Sequence, residues 1–169
     1  MCIRDSYYGI ETGDDEIRYT INKGSTAEKC IEMGNKAKDA GFELSVTVLL
    51  GIGGIEKSIQ HAQATGKLLS AMDPNLIGAL TVMLVPGTPL YQNCLDGKFN
   101  LPDELGLLRE LREMIDNTNI TRGYFFSNHA SNYLPIKAKL PSGKKKALDL
   151  IDAALQGNVR LRPEWMRGL

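Results

Sequence analysis

Residues 43–58 read Glu43-Leu44-Ser45-Val46-Thr47-Val48-Leu49-Leu50-Gly51-Ile52-Gly53-Gly54-Ile55-Glu56-Lys57-Ser58, and few folds accommodate such a run. Its first half is apolar and β-branched, the composition of a buried strand. Three glycines follow within four residues, and residues 56–72 then carry apolar side chains at helical spacing. A buried strand that ends in a glycine turn and opens straight into a helix is a parallel βα unit. In such folds ligands bind at the carboxyl ends of the strands. Glycines there let a ligand approach the backbone, and the first amides of the helix favour polar or anionic groups. The turn is not a Walker A loop, since no Gly-Lys-Ser/Thr closes it. Nor is it a dinucleotide fingerprint, since its glycines are differently spaced. A tight βα connection with no ligand accounts for it equally well.

The same rhythm runs along the chain. Residues 7–13 read as a short strand running into a loop. Asp14-Asp15-Glu16 opens a helix with acids in its first turn, and Asn22-Lys23-Gly24 closes it. Ser25-x-x-Glu28 has the form of a capping box for a helix to about residue 40, which Gly41 stops. Asp73-Pro74-Asn75 breaks the helix over 56–72. Residues 76–85 form the next buried strand, which Pro86-Gly87-Thr88-Pro89 closes. A short helix over 90–95 and a connection over 98–101 follow. Pro102-Asp103-Glu104 then opens an amphipathic helix to residue 117, with Leu105, Leu108, Leu111 and Ile115 at helical spacing. Gly123-Tyr124-Phe125-Phe126 predicts one more strand, its aromatic residues read as core. A polar loop over 127–133, a helix over 142–155 and a basic surface tail over 157–169 complete the pattern. The lysine run Lys144-Lys145-Lys146 reads as a solvated helix start.

A chain of 169 residues with 43% apolar content can bury one core. Lys plus Arg and Asp plus Glu each total 20, so no net charge points to nucleic acid or to a membrane surface. No apolar run is long enough to span a bilayer, and no secretory signal is visible. Cys2, Cys30 and Cys94 are too far apart for a metal motif or an obvious disulfide framework, which fits a reducing, cytoplasmic setting. With two histidines and no paired acid or thiol spacing, no metal site is expected. Residues 1–6, Met1-Cys2-Ile3-Arg4-Asp5-Ser6, resemble the translation of a transposon-type sequencing adapter. They are set aside from fold reasoning, and the gene is expected to extend upstream.

Four pieces fall in register: Gly9-Ile10-Glu11-Thr12-Gly13, Ile21-Asn22-Lys23-Gly24, Leu50-Gly51-Ile52-Gly53-Gly54 and Val85-Pro86-Gly87-Thr88-Pro89-Leu90-Tyr91. In this order they resemble the second half of a radical S-adenosylmethionine (SAM) core domain. The likeness is to the group around oxygen-independent coproporphyrinogen III oxidase and the Elongator-type radical SAM proteins. The loop Ser127-Asn128-His129-Ala130-Ser131-Asn132-Tyr133 resembles an uncharacterised branch of that group. The resemblance implies an α/β fold: an incomplete parallel (β/α) barrel over residues 7–135, the C-terminal half of a partial six-unit barrel. A C-terminal helix and tail follow over 136–169. It also implies a parent enzyme in which a 4Fe–4S cluster cleaves SAM and the resulting radical abstracts hydrogen from substrate. The C-x-x-x-C-x-x-C loop that holds that cluster is absent, so this chain alone is expected to be inactive.

By the same resemblance, Glu11 and Thr12 contact the ribose or methionine moiety of SAM. Gly51, Gly53 and Gly54 lie against its adenine, and Pro86 flanks the ring. Asn128, His129 and Asn132 face an unidentified substrate at the barrel mouth. Lys23 is read as a solvated helix end, Glu56 and Ser58 as helix caps, and His61 as structural or surface. Two alternatives stay open. One is another βα-barrel enzyme with a phosphorylated ligand at the Gly51–Gly54 turn. The other is a non-catalytic α/β interaction domain, in which Glu11, the glycine turn and the 128–132 loop do not converge. Half a barrel is also expected to leave a strand edge and apolar faces uncovered, which favours aggregation.

Overall fold

The computed structural model describes residues 5–168; residues 1–4, most of the adapter-like stretch, lie outside it. Strand β1 (Asp5–Glu11) leads through helices α1 (Asp15–Thr20) and α2 (Ala27–Asp39) to β2 (Glu43–Leu50). Helix α3 (Gly54–Met72), β3 (Leu76–Thr81), α4 (Pro89–Leu95), α5 (Glu104–Asn117) and β4 (Gly123–Phe126) follow. The chain ends with β5 (Lys137–Leu140), α6 (Lys144–Leu155) and a 3-10 turn at Glu164–Met166. All five strands form one open sheet in chain order. β1 to β4 run parallel, and β5 is antiparallel to β4.

Side chains alternate across a strand, and this sheet uses the alternation one way throughout. In β2, Leu44, Val46, Val48 and Leu50 are buried, while Ser45, Thr47 and Leu49 are only half-buried. The buried set joins Ile10 of β1, Ile77 and Ala79 of β3, Phe125 of β4 and Ala138 and Leu140 of β5 in one core. The same core contains Cys30 of α2, Leu69 and Met72 of α3, Leu111 and Met114 of α5 and Ile151 of α6. All four long helices therefore pack on one face of the sheet. The other face presents Tyr7, Leu76, Gly78, Leu80, Tyr124 and Phe126, all partly or fully exposed.

Short links do the positioning. Thr88 caps α4 by accepting from the Tyr91 amide, and Pro89 supplies its first turn. Gly87, at φ +85°, turns the chain after Pro86, so that the Thr88 amide reaches the Val85 carbonyl at 3.2 Å. Helix α3 crosses α5 at Gly66, where an added Cβ would sit 2.8 Å from the Met114 carbonyl oxygen and 2.7 Å from Asn117 Cβ. Gly66→Ala is thus expected to cost about 2–3 kcal/mol despite alanine's better helix propensity, read as a lower urea midpoint.

Several expectations are corrected. β1 begins at Asp5, two residues before the expected Tyr7, with Asp5 and Ser6 in register with Glu43 and Leu44. β3 ends at Thr81, not residue 85, because residues 82–85 leave the sheet after the Val82 amide reaches the Leu50 carbonyl. The cap of α2 is Thr26; Ser25 turns inward instead, to Arg18. Helix α3 begins two residues early, at Gly54. The antiparallel β5 was not expected. Of the aromatic residues in β4, only Phe125 is core; Tyr124 and Phe126 stack on the open face with ring centroids 5.9 Å apart. Among the described residues, no helix is long and apolar enough to cross a membrane.

Candidate functional site

The parallel strands all end on one side of the sheet, and the residues singled out in the sequence gather there. β1 ends at a bulge between Gly9 and Glu11. The bulge holds Glu11 at φ +62°, lays its carboxylate over Gly9 and pairs it with Lys23 at 2.9 Å. Lys23 is therefore not a merely solvated helix end. Thr12, next along, is fully buried. Its hydroxyl lies 2.8 Å from His61 Nδ1 and accepts from the Asp14 amide.

His61 is a buried structural residue. Its Nε2 lies 3.0 Å from the Leu49 carbonyl, an acceptor only, so Nε2 carries the proton and Nδ1 accepts from Thr12. Burial pushes the imidazole down to about 4, against a weaker upward pull from the Leu49 carbonyl and Asp14. The ring is neutral at physiological pH.

The glycine turn is occupied from below. Gly51, at φ +83°, donates its amide to Glu110 Oε1 at 2.6 Å. The Ser58 hydroxyl donates to Glu110 Oε2. Ser58 thus meets a carboxylate instead of capping α3, and Glu56 makes only a long contact to Asn100, at 3.4 Å. The Gly54 amide bonds the Gly51 carbonyl, and the Ile55 amide bonds the Asn100 carbonyl. A Cβ on Gly51 would lie 2.8 Å from Leu101 Cδ1, so this glycine makes room for the protein's own side chains. Gly53 is packed similarly against Ile17 and His61. Amides already engaged, with an acid beneath them, make a poor phosphate cradle.

Glu110 had no counterpart in the sequence reading. It is fully buried on α5, and its Oε1 lies 3.5 Å from His61 Nε2. Burial pushes its carboxyl up to about 7, and the bonds from Ser58 and Gly51 oppose that rise. The helical register offers a signal: Glu110 stands three residues after Leu107 and four before Met114, both on the buried face of α5.

An apolar cavity of about 320 Å³ opens above β2 and β3. Leu49, Ile52, Val82, Met83 and Val85 line it, with His129 and Ser131 at its polar side. It brings together the glycine turn, the segment leading to Pro86 and the loop after β4. Pro86 itself is exposed beside it, and Glu11 lies outside its lining. Asn128 and His129 are exposed. His129 Nδ1 lies 2.9 Å from Ser131 Oγ. Asn132 is buried and fully used within the protein. It donates to the Ala79 and Ser127 carbonyls and accepts from Thr81 Oγ1, leaving no side-chain atom facing outward for a substrate.

Compared with protein-family models and with characterised proteins, the chain matches none.

Proposed function

We propose that this chain is the C-terminal part of a radical SAM core domain, in which the open face of the sheet is the inner wall of a (β/α) barrel. The observation that carries the reading is the winding. Four parallel strands lie in strict chain order with every long helix on one face. A parallel sheet is ordinarily covered on both faces, either by helices of a doubly wound fold or by closure into a barrel. This sheet has its long helices on one side only, the arrangement expected of a barrel arc.

The described residues do not suit the cluster. Among them, no group of three His, Cys, Asp or Glu side chains is placed to hold a metal. Cys30 is buried beside Arg18, and Cys94, on α4, is a free, half-buried thiol. No chemical step is therefore assigned to this chain.

SAM itself suits them better. The cavity's aliphatic walls accept a flat purine ring, and Pro86 stands at its edge. The Glu11–Lys23 pair presents one negative and one positive group at the end of β1, complementary to an amino-acid zwitterion. When bound with its cluster, SAM would supply a radical for hydrogen abstraction. These residues would bind and orient it, and His129 would face the substrate.

The test is the coding sequence upstream of Tyr7 in the source DNA, followed by anaerobic reconstitution of the longer product. A C-x-x-x-C-x-x-C loop and release of 5′-deoxyadenosine from SAM are expected. An upstream reading frame without that loop overturns the proposal.

A further inference from the structure

The loop after β4 is held from both sides, and the outer side is the C-terminal tail. Its inner side grips β3: Ser131 Oγ accepts from the Thr81 amide at 3.0 Å, beside the Asn132 bonds described above. Outward, the loop turns five consecutive carbonyls toward residues 162–167. Arg162 Nη1 lies 2.9 Å from the His129 and Ala130 oxygens and 2.8 Å from that of Asn132. Arg167 Nε donates to the Ser131 carbonyl at 2.8 Å. The Arg162 amide donates to the Tyr133 carbonyl, also at 2.8 Å. Arg167 further lies 4.0 Å above the Tyr133 ring, and Glu164 accepts from both Arg167 and the Tyr133 hydroxyl.

An exposed loop would ordinarily satisfy its carbonyls with water. Here two guanidinium groups and one amide take all five, which fixes the loop's backbone path residue by residue. The only side chains of this loop that reach the cavity are His129 and Ser131. We propose that residues 162–167 are a strap whose arginines set the position of His129 and Ser131 at the cavity wall, so that ligand binding there depends on a segment that touches no ligand. Arg162 and Arg167 are positioning residues. The inference rests on the cavity being the ligand site proposed above.

The test uses the 169-residue chain with R162A and R167A combined, compared with the unaltered chain by NMR. Release of the loop is expected to raise exchange of the Ser131 and Asn132 amides about tenfold or more, and that of the Thr81 amide bound to Ser131, with the β2 amides and the other β3 amides unchanged. The His129 ring signals should move to those of an unconstrained histidine. Trp165, the single tryptophan, lies on the strap, so its fluorescence anisotropy should fall. Titrated SAM should bind the variant about tenfold more weakly, a loss of about 1.4 kcal/mol. Unchanged loop exchange and an unmoved His129 signal overturn the strap. So does faster exchange spread evenly over β2 and β3, which marks general loosening. If the unaltered chain binds no SAM, the His129 and exchange signals still decide the strap, and the upstream coding sequence decides the proposed function.

Discussion

Glu110→Ala is expected to destabilise the chain by about 3–5 kcal/mol, read as a lower urea midpoint with an unchanged slope. Two donors lose their acceptor at once. The Gly51 amide is buried with no other partner, and the Ser58 hydroxyl loses its carboxylate. Each buried polar group left without a partner costs about 1–3 kcal/mol, and the deleted side chain leaves a void between α3 and α5.

Glu110→Gln separates charge from shape. The folded carboxyl titrates near 7, above its ordinary value of 4.5. Between those values the unfolded chain has lost a proton that the folded chain keeps, so stability falls as pH rises through that window. His61 slopes the other way. Its folded value is about 4 against an ordinary 6.5, so stability falls as pH drops from 6.5 to 4. In the native chain the two slopes oppose each other between about 4.5 and 6.5. The glutamine variant keeps only the histidine slope. Relative to the native chain, it should therefore gain about 2–3 kcal/mol on going from pH 5 to pH 8. Urea titrations of both chains at those two pH values measure this directly; parallel changes would mean that Glu110 is ionised throughout.

The elements that were legible in the sequence are those whose periodicity is long enough to be unambiguous. β2 and α3 were plain because one has six apolar or β-branched residues among its eight and the other is nineteen residues with a continuous buried stripe. β5 was not, because Lys137-Ala138-Lys139-Leu140 has two apolar positions and ends against Pro141. Its burial alternation has meaning only once β4 lies beside it. The glycine turn was located correctly but its glycines were read as opening toward a ligand. Their space is filled instead by Leu101, Leu107, Ile17 and His61. A sequence displays the absence of a Cβ and not what occupies its place.

The site divides along the same line. Glu11 and His129 were named and lie at the strand ends with accessible polar groups, whereas Thr12 and Asn132 are spent on internal bonds. Short polar side chains in a loop serve ligands and buried backbone equally well, and only the fold distinguishes the two uses. The tail shows the limit most clearly. The carbonyls that Arg162 and Arg167 bind belong to the backbone, which every residue type carries, so those targets leave no trace in the sequence.

Arg18→Met is expected to lower stability by about 3–5 kcal/mol, comparably to loss of Glu110. Arg18 is 2% exposed on α1, and none of its side-chain partners is a carboxylate. Its Nη1 reaches the carbonyls of Ile10 at 2.8 Å and Thr12 at 2.9 Å, across the end of β1. Its Nε reaches the Ser25 carbonyl at 2.7 Å, and Nη2 reaches Ser25 Oγ and Cys30 Sγ. Five donors in a rigid fork thus tie β1, the loop before α2, and α2 itself. Methionine fills similar volume but donates to none of these acceptors, and of the three carbonyls only that of Ile10 keeps a second donor, the Thr12 amide. Lysine, with a single ammonium, cannot span both sides, so Arg18→Lys should recover less than half of the loss. The Glu11–Lys23 pair is the internal control. It lies one residue from the Ile10 carbonyl but is partly exposed, so Lys23→Met should cost under about 1 kcal/mol. Urea midpoints for the three variants, with exchange of the Thr12 amide, test the account. If Arg18→Met costs no more than Lys23→Met, the path of the chain beyond β1 is set by Thr12 and His61 instead of by the buried guanidinium.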